Sequence, residues 1–380
     1  MAWLKDLKRA IDRFGEVETP RAERHPAHGL EAQYGAPTPN LPAGIKDISS
    51  SGIYLFTEKR LSTGELVTLL FKEEGQPENS TDLQFSVHAR VARQGEDGLG
   101  LSYVLPAGLN MDLWGVLMRN IVSLTDQRQI DDMFRTLHTI LFLCRLCGAE
   151  AEEAILLLGM DLHPDRTATL LKIVHTAENL LASQPGAERM SAHPKLVANI
   201  LRDGSWAPDE PTMQLWAGLL VSSCSAETPG NSNQVLVDLL VHLTPTQSKI
   251  FILGCERTLS SAPGSDNSAP ASIVISPKEM IDTTGEHDMT RAATDVAYLF
   301  NLGLIRKVCN FSSYQEFDSF DITPSDLGIV LYKHCHGSRE KLDPQLVEKA
   351  NAHLANFIPA PQSIAFDDEK HPLPIYRAES

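Results

Sequence analysis

The chain has 380 residues, 42% of them hydrophobic, and a formal net charge of −16. That length suits two or three domains with a core large enough to fold without disulfide staples. The acidic balance speaks against broad affinity for nucleic acid and leaves room only for a local basic patch.

In chain order, the first element is a short amphipathic helix. Trp3, Leu4, Leu7, Ile11 and Phe14 recur at helical spacing, with Lys5, Lys8, Arg9 and Arg13 on the other face. The segment is too charged for the apolar core of a secretory signal. Packing on its own protein is the favoured reading, because Asp6 and Asp12 are interleaved. An anionic membrane surface is the other. Residues 16–28 are polar, carry Pro20 and Pro26, and read as a linker.

From about residue 30 to 105 the pattern turns to strands. LEAQYGA, AGIKDIS, GIYLFTE, ELVTLLFK, LQFSVHARVAR and LGLSYVL are short and rich in β-branched or aromatic residues. Turn residues separate them, among them Pro37, Pro39 and Pro42 and the runs STG, EEGQPENST and EDG. Val87, Ala89 and Val91 alternate onto one face. Strands at this spacing predict a small closed or nearly closed barrel.

After about residue 108 apolar residues recur at i, i+3, i+4 in LNMDLWGVLMRNIVSL, IDDMFRTLHTILFLCRL, AEEAILLLGM and RTATLLKIVHTAENLLA. KLVANIL, TMQLWAGLLVS and QVLVDLLVHL follow between polar breaks. Thr244-Pro245 opens a further helix as N-cap and first-turn proline. A low-complexity loop leads to a short helix, SPKEMI, and a longer one, TRAATDVAYLFNLG, with Gly303 as its stop. LIRKVCN and EFDSFDIT read as a hairpin, and TPSDLGIVLYKHCHG as a second helix capped by Thr-Pro. Three helices, two strands and a helix is the order of a winged helix. The last twenty-odd residues are polar, contain proline and read as a flexible tail.

The run KDISSSGIYL carries a resemblance. Asp47-x-Ser49-x-x-Gly52 before the apolar strand Ile53 to Phe56, GLGLSYV at 98–104 and the apolar helix around Trp114 resemble a PilZ domain. That family is a small bacterial β-barrel that typically binds cyclic di-GMP, and the likeness covers roughly residues 22–121. It implies a ligand and no cofactor. The chemistry suits the ligand. A carboxylate such as Asp47 can accept both N–H donors of a guanine edge, and Ser49 can hold a phosphate or base. Gly52 can take a positive φ or let the backbone approach a ligand. The family's second motif, R-x-x-x-R, lies upstream on an arm that folds over the ligand. Its best match is RHPAH, with Arg24 in the first position and His28 where the second arginine belongs. The resemblance therefore implies Arg24, His28, Asp47, Ser49 and Gly52 as ligand residues, with one guanidinium replaced by a weaker imidazole. In the competing reading, the barrel serves protein interaction, and Asp47 and Ser49 only cap a turn.

From Asp209 to about Gly337 the chain resembles the Abi-alpha family, named for abortive phage infection in bacteria. TMQLWAGLLVSSCS, QVLVDLLVHLTPTQSKIF, YLFNLGLIR and ITPSDLGIVLYKHCHG carry that likeness. It implies no catalytic residues. As a DNA reader, TRAATDVAYLFNLG would present Thr290, Arg291, Thr294, Asp295 and Asn301, a poor face for phosphate, so protein interaction is favoured.

Six cysteines, Cys144, Cys147, Cys224, Cys255, Cys309 and Cys335, sit mostly in apolar runs, as reduced core thiols do. Cys144-x-x-Cys147 lacks a second pair at zinc spacing and reads as core. In His334-Cys335-His336, neighbouring side chains on a helix point apart, which argues against a shared ion. The sequence holds no P-loop, dinucleotide fingerprint, G-x-S-x-G, H-E-x-x-H or kinase motif.

The expectation is an α+β multidomain protein with a six-stranded antiparallel PilZ-like barrel, then a mainly helical region ending in a winged-helix-like subdomain. Its parts are a helix and arm (1–21), the barrel with a closing helix (22–121), a helical domain (122–243), the winged-helix-like subdomain (244–357) and a tail (358–380). It is expected to be a cytoplasmic, non-enzymatic signalling protein, with the N-terminal helix available to the inner membrane. Cyclic di-GMP and a protein partner are the expected ligands, and nucleic acid is not. The alternatives are a ligand-free interaction module in phage defence and a winged-helix transcription regulator.

Overall fold

A computed structural model describes residues 24–26, 30–36, 38–73, 84–123, 126–159, 164–227, 232–261, 272–306 and 319–357. The amphipathic helix expected at the N-terminus, His28, Cys309, the span 307–318 and the tail expected over 358–380 lie outside the described residues.

The alternating segments form β1 (Leu30–Gly35), β2 (Leu41–Ile48), β3 (Gly52–Phe56), β4 (Leu66–Glu73), β5 (Gln84–Gln94) and β6 (Gly98–Val104). All pair antiparallel and close in the order β1-β2-β3-β6-β5-β4, with β4 returning to β1. Closure leaves no unpaired sheet edge. Val87, Ala89 and Val91 point inward as their alternation requires. Pro42, read as a turn residue, lies inside β2. It pairs with Gln33 of β1, whereas β3 ends opposite Gly44, so no β3 carbonyl needs the missing N–H.

The helical part runs through α1 (Met111–Ser123), α2 (Gln127–Cys147), α3 (Glu152–Gly159), α4 (Pro164–Ala182), α5 (Pro194–Gly204), α6 (Glu210–Ser222), α7 (Gln234–Val241) and α8 (Pro245–Ser260). After it come β7 (Val274–Ile275), α9 (Pro277–Thr284), α10 (Met289–Asn301), β8 (Phe320–Asp321), α11 (Asp326–His334) and α12 (Pro344–Phe357). Thr244 caps α8 as its sequence implies. Its hydroxyl accepts from Gln247 N while the Gln247 side chain accepts from Thr244 N. Gly303, with φ of +74°, ends α10.

Two local expectations change. β8 pairs with β7, a two-residue strand lying between the low-complexity loop and the SPKEMI helix, where no strand is expected. On the other side, Ile305 bridges Pro324. The N-cap of α11 is Ser325, whose Oγ accepts from Gly328 N at 3.0 Å. Thr323 is drawn away instead, because its Oγ1 accepts from Ile273 N at 2.7 Å.

An aromatic chain joins barrel to helices. Phe71 stacks on Phe85 at 4.9 Å between centroids, and Phe85 meets Trp114 of α1 and Phe134 of α2 at 6.2 and 5.5 Å. Trp114 is fully buried, so α1 stoppers the barrel. His138 of α2 adds a polar tie, with Nδ1 against Gln84 O of β5 at 3.0 Å and Nε2 against Glu178 of α4.

Candidate ligand-binding face

The turn between β2 and β3 explains its serines. Ser49 N donates to Gly52 O at 2.9 Å, and Gly52 N donates back to Ser49 Oγ at 3.2 Å. The Ser49 hydroxyl donates to Gly52 O at 3.1 Å, and the residue is only 5% exposed. Its expected ligand role thus competes with the turn it already holds. Ser50 packs where a side chain at Gly115 of α1 would stand.

Gly52 is required for a different cause from either one expected. Its φ is not positive. A Cβ there would stand 2.2 Å from Leu101 O, so glycine lets β3 lie close on β6 rather than on a ligand.

Asp47 stands on the barrel's outside, and the arm reaches it. His25 N donates to Ile48 O and Ile48 N donates to His25 O, both at 2.9 Å, which lays residues 24–26 along the end of β2. Arg24 Nη1 then donates to Asp47 Oδ1 at 2.7 Å. Arg24, Asp47, Ser49 and Gly52 are therefore neighbours, two of them facing solvent and two building the turn. His28 lies outside the described residues.

The sequence missed what lies beside Asp47. Opposite it on β3 is Tyr54, opposite Tyr54 on β6 is Gly100, and opposite Gly100 on β5 is Arg93. The register shifts between Ile45 and Asp47 on β2 and between Val91 and Arg93 on β5. Each bulge turns a cation onto the row. Lys46 Nζ lies 4.9 Å from the Tyr54 ring centroid, and the Arg93 guanidinium carbon 5.6 Å from it. Tyr54, though on the outer face, is 6% exposed beneath them.

Asp97, in the turn before β6, locks this arrangement. It accepts from Tyr54 OH at 2.7 Å and from Lys46 Nζ at 2.9 Å. Those two hydrogen bonds hold its carboxyl down at about 2. The same bonds raise Tyr54 and Lys46 above their ordinary values. Gly95 makes the bond feasible, since a Cβ there would collide with the Tyr54 hydroxyl. No one-dimensional signal marks this group, because its members meet only through strand register.

The sequence of the barrel region matches a known family. Residues 19–112 match the PilZ domain. The match spans the closed barrel, its turn motif and the start of α1. The chain is also similar to the crystal structure of the Legionella uncharacterized protein Lpg0364, at 18% identity and a TM-score of 0.19, over 28% of this chain and 98% of that one. Comparison with curated proteins gives no match.

Away from the PilZ barrel, the cysteines behave as core. Burial pushes the thiols of Cys144, Cys147 and Cys224 up to about 12 and those of Cys255 and Cys335 higher still. His334 spends both ring nitrogens on Val330 O and Glu340 O, and His336 Nδ1 faces Tyr332 O. Among the described residues no group of three His, Cys, Asp or Glu could hold a metal, and no helix is long and apolar enough to cross a membrane.

Proposed function

We propose that this chain is a bacterial receptor for cyclic di-GMP whose helical part passes the signal to a protein partner. The observation that carries the reading is Asp47. It is a carboxylate on the outer face of a PilZ barrel, at its motif position and within reach of the arm. In this reading Asp47 accepts the N–H pair of a guanine, and Arg24 swings from Asp47 to the phosphate or guanine acceptors. Ser49 and Gly52 fix the turn that presents Asp47, and His28 is a second, weaker clamp. PilZ domains are receptor modules rather than catalysts, and the reading includes no reaction. The aromatic chain through Phe85, Trp114 and Phe134 and the His138 tie give a route from barrel to helices.

The C-terminal part, read as winged-helix-like and similar to Abi-alpha proteins, is assigned to protein contact rather than DNA. On α10, Arg291 pairs with Glu286 at 3.5 Å and Asp295 accepts from Gln247 at 2.8 Å, so little free positive charge faces outward. A role in phage defence and a peripheral membrane position for the N-terminal helix belong to this proposal as settings.

A second reading, a barrel retained for protein interaction alone, draws on one observation. Ser49 and Asp47 already have partners within the chain. Calorimetric titration of the full chain with cyclic di-GMP, beside Asp47→Ala, decides between them. Micromolar or tighter binding that the variant loses supports the receptor. No heat up to high micromolar ligand leaves the interaction module.

A further inference from the structure

Around the Tyr54 ring, Arg24, Lys46 and Arg93 stand with the carboxylates Asp47 and Asp97, and the pairing among these five is uneven. Asp47 is matched by Arg24 and Asp97 by Lys46. Among the described residues Arg93 has no carboxylate partner. In a chain of net charge −16, an exposed guanidinium left over beside the motif carboxylate calls for an explanation.

Three features hold it in place. The β5 bulge turns Arg93 onto the outer row. Gly100, which pairs with it, leaves the space in which the Arg93 stem lies, since a Cβ there would stand 2.8 Å from Arg93 Cγ. The Tyr54 ring then supports the guanidinium from beneath, and Asp97 fixes that ring by its hydroxyl. A guanidinium seated on an aromatic face loses less freedom on binding and keeps its N–H fork for a planar acceptor pair or a phosphate. The Arg93 backbone lies three strand steps from Asp47, roughly 14 Å, but the side chain reaches back over Gly100 to the Tyr54 ring, and Tyr54 pairs directly with Asp47, so guanidinium and carboxylate share one face.

We propose that Arg93, seated on Tyr54 by the β5 bulge and Gly100, supplies the second guanidinium of the nucleotide site from the barrel wall, in place of the arm position that His28 occupies. Asp47 and Arg93 then flank Tyr54 within one site, the first accepting from a guanine edge and the second donating to a phosphate or to guanine O6 and N7. This inference rests on the receptor reading above.

The test is titration of the full chain with cyclic di-GMP, comparing wild type, Asp47→Ala, Arg93→Gln and Arg93→Lys, each checked for a cooperative thermal transition. The expected result is a ten- to hundredfold weaker Kd for Arg93→Gln, with Arg93→Lys between it and wild type because charge survives without the fork. A His28→Arg change added to Arg93→Gln restores affinity, which a merely structural role for Arg93 would not produce. Wild-type affinity in Arg93→Gln, with binding lost in Asp47→Ala, overturns the inference and leaves the receptor standing. Absence of binding by the wild type overturns both. Should Arg93→Gln fail to fold, Arg93→Lys decides: unchanged affinity refutes the proposal and a severalfold loss supports it.

Discussion

Arg24 and Asp47, 23 residues apart, are bonded to each other at 2.7 Å on the outer face of the barrel. Both are motif positions, so on the receptor reading proposed above Arg24 must release the carboxylate before a guanine edge can pair with it. The pair is exposed, with 53% of the Arg24 side chain accessible. Such pairs contribute at most about 1 kcal/mol. Arg24→Ala is therefore expected to change the urea unfolding free energy by less than about 1 kcal/mol while weakening cyclic di-GMP binding at least tenfold. A stability loss of several kcal/mol would instead make Arg24 a structural residue.

Asp97 gives the face a pH signature. Its carboxyl is held at about 2, against an ordinary 3.8, first by the Tyr54 hydroxyl and then by Lys46. Because the folded value is depressed, the stabilisation is complete above about 4 and disappears as pH falls through about 2. Thermal midpoints measured from pH 5 to 2 should fall less steeply for Asp97→Asn than for wild type. The group is open to solvent, so the difference should shrink in 1 M salt.

Much of the barrel was legible because its strands alternate cleanly, as Val87, Ala89 and Val91 do, and because Asp47 to Gly52 forms a compact motif. The Tyr54 row was not. Gly100 and Arg93 look like ordinary strand residues, and the two bulges that bring Lys46 and Arg93 onto the row break the period-two pattern that sequence reading relies on. β7 escaped for a related reason, since two residues carry no periodicity. Thr323-Pro324 misled because the pair copies the cap of α8, whereas the tertiary bond to Ile273 N takes the threonine hydroxyl.

Trp114 is expected to be the most sensitive single core position at the barrel mouth. It is fully buried and packs edge-on against Tyr103 at 5.1 Å and Phe85 at 6.2 Å. Trp114→Ala removes that stopper and should cost about 3–5 kcal/mol. Urea denaturation followed by far-UV circular dichroism reads the loss. A cost below about 1 kcal/mol would mean that the barrel closes without α1.

The high thiol values predict slow chemistry. Cys144, Cys147 and Cys224 stand at about 12 through burial, so at pH 8 almost none of each is thiolate. Iodoacetamide mapped by peptide should label these three far more slowly in the native chain than in urea. Rapid native labelling at Cys144 and Cys147 would reopen a redox role for that pair.

The turn itself separates folding from binding. At Gly52 a Cβ would stand 2.2 Å from Leu101 O, a backbone atom that cannot swing aside. Gly52→Ala must therefore push β3 off β6, and a loss of about 2 kcal/mol or more is expected, the range of strained or overpacked substitutions. Ser49→Ala removes one hydroxyl from a buried turn and should cost about 1 kcal/mol. If Gly52 acted chiefly by letting a ligand approach, the alanine variant would keep wild-type stability and lose only affinity. Unfolding curves of both variants, recorded without nucleotide, distinguish the two causes: steric contact with β6 lowers the midpoint before any ligand is added, and ligand contact leaves it unchanged.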